Sequence, residues 1–326
     1  MTVTSEELVT APAGTAAPSS GKLYVKSPSR LFWERFREDK AALVGGLVII
    51  GLILAATIGA PLAAWITGHP NGAAYEGIME NSYGLPKGPN THFWFGADGT
   101  GQDLFVRTLY GARTSLLVGV VASLIAVTIG LIVGMTAGYF RGWTDTVFSR
   151  SGDIMLALPQ LLISIGIVAA CTSTKSGCLD GIIQPGMTLV IAIIVLFSWP
   201  YIARLVRSYT ISIREKEFVE ASRSLGAGNF RIITREFLPN LAGPMIVYTT
   251  LLIPQSILFE AALSYLGLGV PPSTASWGTL LNQASLYYDV AWWLILFPGL
   301  ALVLTTLGFN LLGDGLRDAL DVRADR

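Results

Sequence analysis

The chain has 326 residues, of which 52% are hydrophobic and only 13% charged, and its mean hydropathy is +0.56. A soluble domain carries roughly 25% charged residues, so one oversized soluble core is excluded and much of the chain belongs in lipid. Lys plus Arg and Asp plus Glu balance at 22 each, with no long basic stripe, which excludes a nucleic-acid-binding protein. Two Cys and two His are too few for a zinc or haem site built by this chain alone, so no metal or cofactor is expected in it.

In chain order, residues 1–30 are rich in Ala, Ser, Thr, Pro and Gly and lack a signal-peptide apolar run. That composition predicts a disordered tail. Residues 31–40 (LFWERFREDK) mix aromatics with charge and read as an interfacial amphipathic segment on membrane lipid. Six apolar stretches follow, at 41–66, 114–140, 154–170, 187–206, 241–266 and 290–312. A spanning helix needs roughly 20 residues. The expected fold is therefore an all-α membrane protein with about six transmembrane helices. Residues 67–113 are too long for a tight connection and predict an outer lobe. The five helices after it form a core over 114–313, and 314–326 is a second tail. Cys171 and Cys178 share the outer loop after the third stretch, either as a disulfide or as two thiols. Residues 267–288 hold no basic residue and read as a re-entrant or capping loop.

Lys and Arg set the orientation. With the N-terminus inside, 18 of them fall in inner segments and four (Lys87, Arg107, Arg113, Lys175) in outer ones. This positive-inside bias puts both termini in the cytoplasm and the lobe outside.

It also puts in the cytoplasm the charged island 217–239, EFVEASRSLGAGNFRIITREFLP. Phe218, Ala221, Ser222 and Leu225 recur at i, i+3, i+4 and i+7, one face of a helix. Gly226 supplies a C′ residue able to take positive φ. Asn229 is the expected N-cap of a second short helix, with Phe230, Ile233 and Phe237 on one side and Pro239 as its end. The island reads as a helix–Gly–helix elbow at the membrane surface.

Chemistry is sparse. No phosphate-binding G-x-x-x-x-G-K-[ST] loop occurs, no Ser/His/Asp or Cys/His arrangement is suggested, and no catalytic residue is expected. His69 and His92 read as isolated, solvated outer-loop residues. Within the spans, Glu260 is the one ionisable residue that calls for a role. It can line a water-filled cavity or anchor a helix contact, and its lack of acidic or basic companions favours a structural or gating role over a proton relay. Pro159, Pro200, Pro244 and Pro254 are tolerated kinks or points of bending; Pro254 and Glu260 together are the candidate pathway or gate residues.

At the elbow, Glu220-Ala221-Ser222, Gly226 and Leu238-Pro239 resemble the EAA loop of ATP-binding cassette importer permeases: Glu-Ala-Ala, three residues, Gly, nine residues, Ile, any residue, Leu-Pro. Ser222 replaces the second Ala, and Glu236 stands in the Ile position. Three further stretches resemble the dipeptide/oligopeptide/nickel branch, C-type subunit: FGADGTGQDLFVRTLYGAR at 95–113, with Gln102 where Arg is usual; DIMLALPQLLIS at 153–164; and EAALSYLGLGVPPSTASWG at 260–278. The resemblance covers about residues 30–320.

The resemblance implies a type I importer permease fold in which the EAA loop is a coupling helix seated in a cleft of a separate ATPase. Ala221 and Ser222 then allow close approach and Gly226 the tight elbow. Glu220 meets a basic residue, and Phe218 and Leu225 fill the socket. It further implies a B-type permease partner in a heterodimer, two ATP-binding subunits holding ATP and Mg, an extracytoplasmic substrate-binding protein, and a bacterial plasma membrane. Peptides are the implied solute, with nickel or another small solute as the alternative. Two other classes stay open: an ion-coupled secondary carrier, which calls for internal repeats that the two halves do not show, and a non-transporting membrane anchor.

Overall fold

In the computed structural model, residues 28–75, 80–81, 83–173, 178 and 182–320 are described. The tail expected over 1–30 lies outside them except for its last three residues, which begin helix α1 (Pro28–Glu38). Trp33 on α1 is 51% exposed, with the Arg37 guanidinium 5.2 Å from its ring. Asp39 then caps the first spanning helix, α2 (Lys40–Thr67), accepting from the Ala41 and Ala42 amides. A π turn at Ala55–Gly59 interrupts α2.

The remaining helices are α3 (Leu104–Phe140), α4 (Gly142–Ala157), α5 (Gln160–Ser173), α6 (Met187–Arg214), α7 (Glu217–Ser224), α8 (Asn229–Tyr265), α9 (Trp277–Ala284) and α10 (Trp293–Leu320). Five of these, α2, α3, α6, α8 and α10, are long and apolar enough to cross a membrane, or six spans if α4 and α5 count as one.

Three boundaries differ from expectation. Helix α3 starts at Leu104 rather than 114, because Asp103 caps it and Asp98 neutralises Arg107 near its start, whereas in the sequence Arg113 ends the apolar window. The third stretch is not one helix: α4 and α5 meet at 89°. Pro159 disfavours the helical conformation at the residue before it, and Leu158 is extended at φ −80, ψ 136. Helix α10 runs on to Leu320, through the first part of the expected tail; residues 321–326 lie outside the description.

Helices α3 and α6 form the centre. Gly130, Gly134 and Gly138 line the face of α3 that meets α6, a small-residue row that lets two backbones approach. A Cβ added at Gly134 stands 2.5 Å from the Ala203 carbonyl oxygen, and one at Gly130 stands 2.6 Å from Ile202 Cβ. Gly134→Leu is therefore expected to destabilise the chain by about 3 kcal/mol, the upper range for overpacking. A thermal melt in detergent unchanged from wild type contradicts this crossing. Around this pair, α8 packs on α3, where the Ser123 and Ser256 hydroxyls lie 3.0 Å apart, and α10 packs on α2 and α8.

Candidate functional site

The elbow is built around a reversal at Gly226, whose φ is +82. The Gly226 amide donates to the Arg223 carbonyl at 2.9 Å and the Ala227 amide to the Ser222 carbonyl at 3.1 Å. Those two bonds are a Schellman motif; they satisfy carbonyls that the end of α7 leaves open. Gly228 caps the next helix, in place of Asn229. The Asn229 side chain is otherwise engaged: its Oδ1 accepts from the Tyr139 hydroxyl at 2.7 Å.

Pro239 does not end the unit. Helix α8 runs from Asn229 through a π turn at Ile233–Phe237 and continues past Pro239 to Tyr265. Proline lacks the amide that a regular helix needs, and the wider π turn just before it relaxes the local pairing. The elbow is thus the bent foot of a membrane-crossing helix. A charged surface stretch and an apolar span are continuous here, which a hydropathy window separates.

The expected second-helix face is also rearranged. Phe230 is 81% exposed, whereas Val219, Ile232 and Phe237 are fully buried. They pack with Tyr139, Met135 and Leu241, and the Tyr139 and Phe237 rings meet edge to face at 5.5 Å. Fully burying such side chains contributes about 1.5–3 kcal/mol each, so the elbow is firmly mounted on the end of α3. Tyr139 was missed in the sequence; its signal is an aromatic closing an apolar span just before Arg141. Tyr139→Phe keeps the ring and removes the bond to Asn229. It is expected to speed hydrogen exchange at the elbow amides about fivefold, matching the ~1 kcal/mol of one hydrogen bond; unchanged exchange contradicts that role.

With Val219 turned inward, α7 points its other side out. Leu225 is 88% and Phe218 42% exposed, and Glu220 and Ala221 are exposed too. The Glu220 side chain has no hydrogen bond or ion pair among the described residues. Ser222 and Glu236, the two departures from the EAA pattern, contact each other: Ser222 Oγ donates to Glu236 Oε1 at 3.0 Å. Beside them Ser222, Gly226, Arg231 and Arg235 edge a surface cavity of about 350 Å³. Ion pairs brace the same end of the bundle, linking Arg207 to Asp145, Arg204 to Asp153, and Arg141 to Glu215.

The other end differs from expectation in three places. His69 is not isolated: its Nδ1 lies 2.7 Å from Asp103 Oδ2, and its ring stacks on Phe93 at 4.4 Å. His92 remains exposed. Glu260 is not without partners: it is fully buried, accepting from the Ser115 and Ser264 hydroxyls. Arg107 is a second buried charge; its guanidinium is 2.8 Å from Asp98 Oδ2 and donates to the Pro272 carbonyl at 3.1 Å. Pro254 is buried within α8, which continues through it unbroken. Cys171 and Cys178 are joined as a disulfide, with Cα atoms 4.8 Å apart. Among the described residues no group of His, Cys, Asp and Glu can hold a metal. The structure does not bring Glu260 and the disulfide to the elbow; they lie toward the opposite end of the bundle.

Comparison with known proteins agrees with this layout. Residues 126–326 match the family described as binding-protein-dependent transport system inner membrane component. Residues 27–76 match the N-terminal transmembrane domain of oligopeptide transport permease C. The glutathione transport system permease protein GsiD of Escherichia coli O6:K15:H31 (strain 536 / UPEC) is 40% identical over 298 residues, covering 91% of each chain. GsiD of Shigella boydii serotype 4 (strain Sb227) gives the same identity and coverage. Among solved structures, the inward-facing methionine ABC transporter MetNI contains a chain that superposes with a TM-score of 0.52 at 19% identity. That match covers 66% of this chain and 96% of the other, and shows a shared fold. Mounted elbow, membrane-spanning bundle and matched sequence agree, and the chain belongs to the inner-membrane components of binding-protein-dependent transport systems.

Proposed function

We propose that the chain is one permease half of an ATP-driven peptide importer in a bacterial plasma membrane, with the elbow and both termini in the cytoplasm. The observation that carries this reading is the elbow itself. Phe218, Glu220 and Leu225 are exposed, on a foot that is continuous with α8 and anchored to α3. An apolar, acid-bearing knob on such a foot suits docking into a cleft with a basic rim. Force applied there passes straight into two spans.

In this reading, two ATP-binding subunits hold ATP and Mg and do the hydrolysis, while this chain catalyses nothing. A homologous B-type permease completes the pathway as a heterodimer, and an extracytoplasmic binding protein delivers the solute. ATP can bias the pathway only if the elbow binds differently in the two states of the ATPase pair. Peptides are the proposed solutes, and glutathione, named for the 40%-identical relatives, is the first to try; nickel is the alternative within the family.

Cysteine cross-linking tests the elbow assignment. In the assembled complex, Leu225→Cys is expected to cross-link to an ATPase subunit in high yield, with the yield changing when ATP is added. Efficient ATPase cross-links from the lobe instead, with none from residue 225, overturn it.

A further inference from the structure

We infer that Glu260 is a positioning residue for transport, one buried carboxylate that holds the outer loop 266–276 and the start of α9 at both ends. The inference rests on the importer reading for its consequence, though not for its geometry. Glu260 Oε1 accepts from Ser264 Oγ at 2.7 Å, and Oε2 accepts from Ser115 Oγ at 2.9 Å. Each serine oxygen then accepts from a loop amide, Ser264 from Val270 at 3.1 Å and Ser115 from Trp277 at 3.3 Å. One carboxylate thus reaches two points of the loop through two hydroxyl relays, and the Ser276 hydroxyl at the start of α9 also faces it.

The donor inventory fixes the direction of both arms. A backbone amide only donates, and a serine has one proton to give. With that proton committed to Glu260, the serine lone pairs must face the amides. Trp277 opens α9, where the first amides have no partner inside the helix, so the Ser115 arm also satisfies an otherwise orphaned donor. Between the two arms, Arg107 grips the Pro272 carbonyl at 3.1 Å.

The backbone is shaped to the clasp. A Cβ at Gly269 stands 2.1 Å from Ser264 Oγ, and one at Gly278 stands 2.6 Å from the Ala261 carbonyl oxygen. Glu260 itself is 0% exposed, so it touches no solute. Its part is to preset the outer surface past which solute must enter. A glutamine there keeps the shape but offers one acceptor and one donor group. The serine facing the new NH₂ must then turn its own proton away and accept on both lone pairs, so that arm loses its charge-assisted bond and one end of the loop is loosened.

Hydrogen exchange resolved to single amides, on the assembled complex in nanodiscs, tests the clasp. Ser264→Ala is expected to speed exchange roughly tenfold at Val270 and leave Trp277 alone, and Ser115→Ala to do the reverse. Glu260→Gln is expected to release at least one of the two, with the α3–α6 crossing unchanged. Glutathione uptake by the same complexes in proteoliposomes supplies the functional readout. Glu260→Gln is expected to raise the half-saturating glutathione concentration several-fold, by more than it lowers the maximal rate. Equal loosening at both ends in each serine variant, or no change in Glu260→Gln, overturns the two-armed clasp. A released loop with unaltered half-saturation overturns its part in transport. If the wild-type complex takes up no glutathione, the substrate reading fails, and the exchange pattern still decides the clasp.

Discussion

Gly226→Val is expected to lower ATP-driven uptake at least tenfold while leaving the chain inserted in the membrane. The residue sits at φ +82, and a Cβ added there meets nothing within 4 Å. The effect therefore comes from the backbone and not from crowding. A β-branched residue strongly disfavours this region, at about 1–2 kcal/mol or more. Escape to an ordinary φ breaks both Schellman bonds and swings α7 away from the foot of α8. The packing of α3 on α6 and α8 lies off the turn, so the bundle itself should survive. Asn tolerates the left-handed region better than other side chains, so Gly226→Asn should recover much of the lost uptake. Proteoliposome uptake, scored together with ATP hydrolysis, reads the result. Equal uptake by the Val and wild-type complexes removes the turn from the coupling path.

The second large effect is expected at Arg107. Its ion pair with Asp98 is almost wholly buried, at 3% and 0% side-chain exposure. Removing one member of such a pair leaves the other charge uncompensated, at a cost of about 3–5 kcal/mol. Asp98 would keep its bonds from Thr100 and the Gln102 amide, which places Arg107→Met nearer the lower figure. The same change frees the Pro272 carbonyl and so loosens the outer loop as well. The double variant Asp98→Asn with Arg107→Met removes both charges and should regain most of the stability. Thermal unfolding of the three variants in detergent measures this. A double variant no more stable than Arg107→Met shows that the charge pairing is not what matters.

Composition and the basic-residue asymmetry made the membrane class and about six spans legible, because apolar windows of spanning length are set by local sequence alone. The elbow was legible as far as Gly226, whose positive φ is a local property. Its continuation through Pro239 was not, since a proline reads as a stop until the π turn beside it is known. The inward face was also hidden. Phe230 reads as part of the apolar side of the second short helix, yet Val219 and Ile232 take the buried positions because Tyr139, about eighty to ninety residues earlier in the chain, supplies the surface they pack on. Contacts of that range leave no periodic trace. Glu260 stood out as a buried charge, but Ser115, 145 residues away, is an ordinary serine in an apolar run until the fold brings it near. His69 and Asp103 escaped notice for the same reason.

In this reading, work done by a separate ATPase enters this chain at the elbow and drives import. The direct measurement is uptake of glutathione and short peptides into proteoliposomes holding the full complex, with binding protein supplied outside and ion gradients collapsed. Uptake is expected to require ATP and to fall at least tenfold in the Gly226→Val complex, while hydrolysis continues. Uptake by this chain alone, driven by an ion gradient and indifferent to ATP, contradicts it.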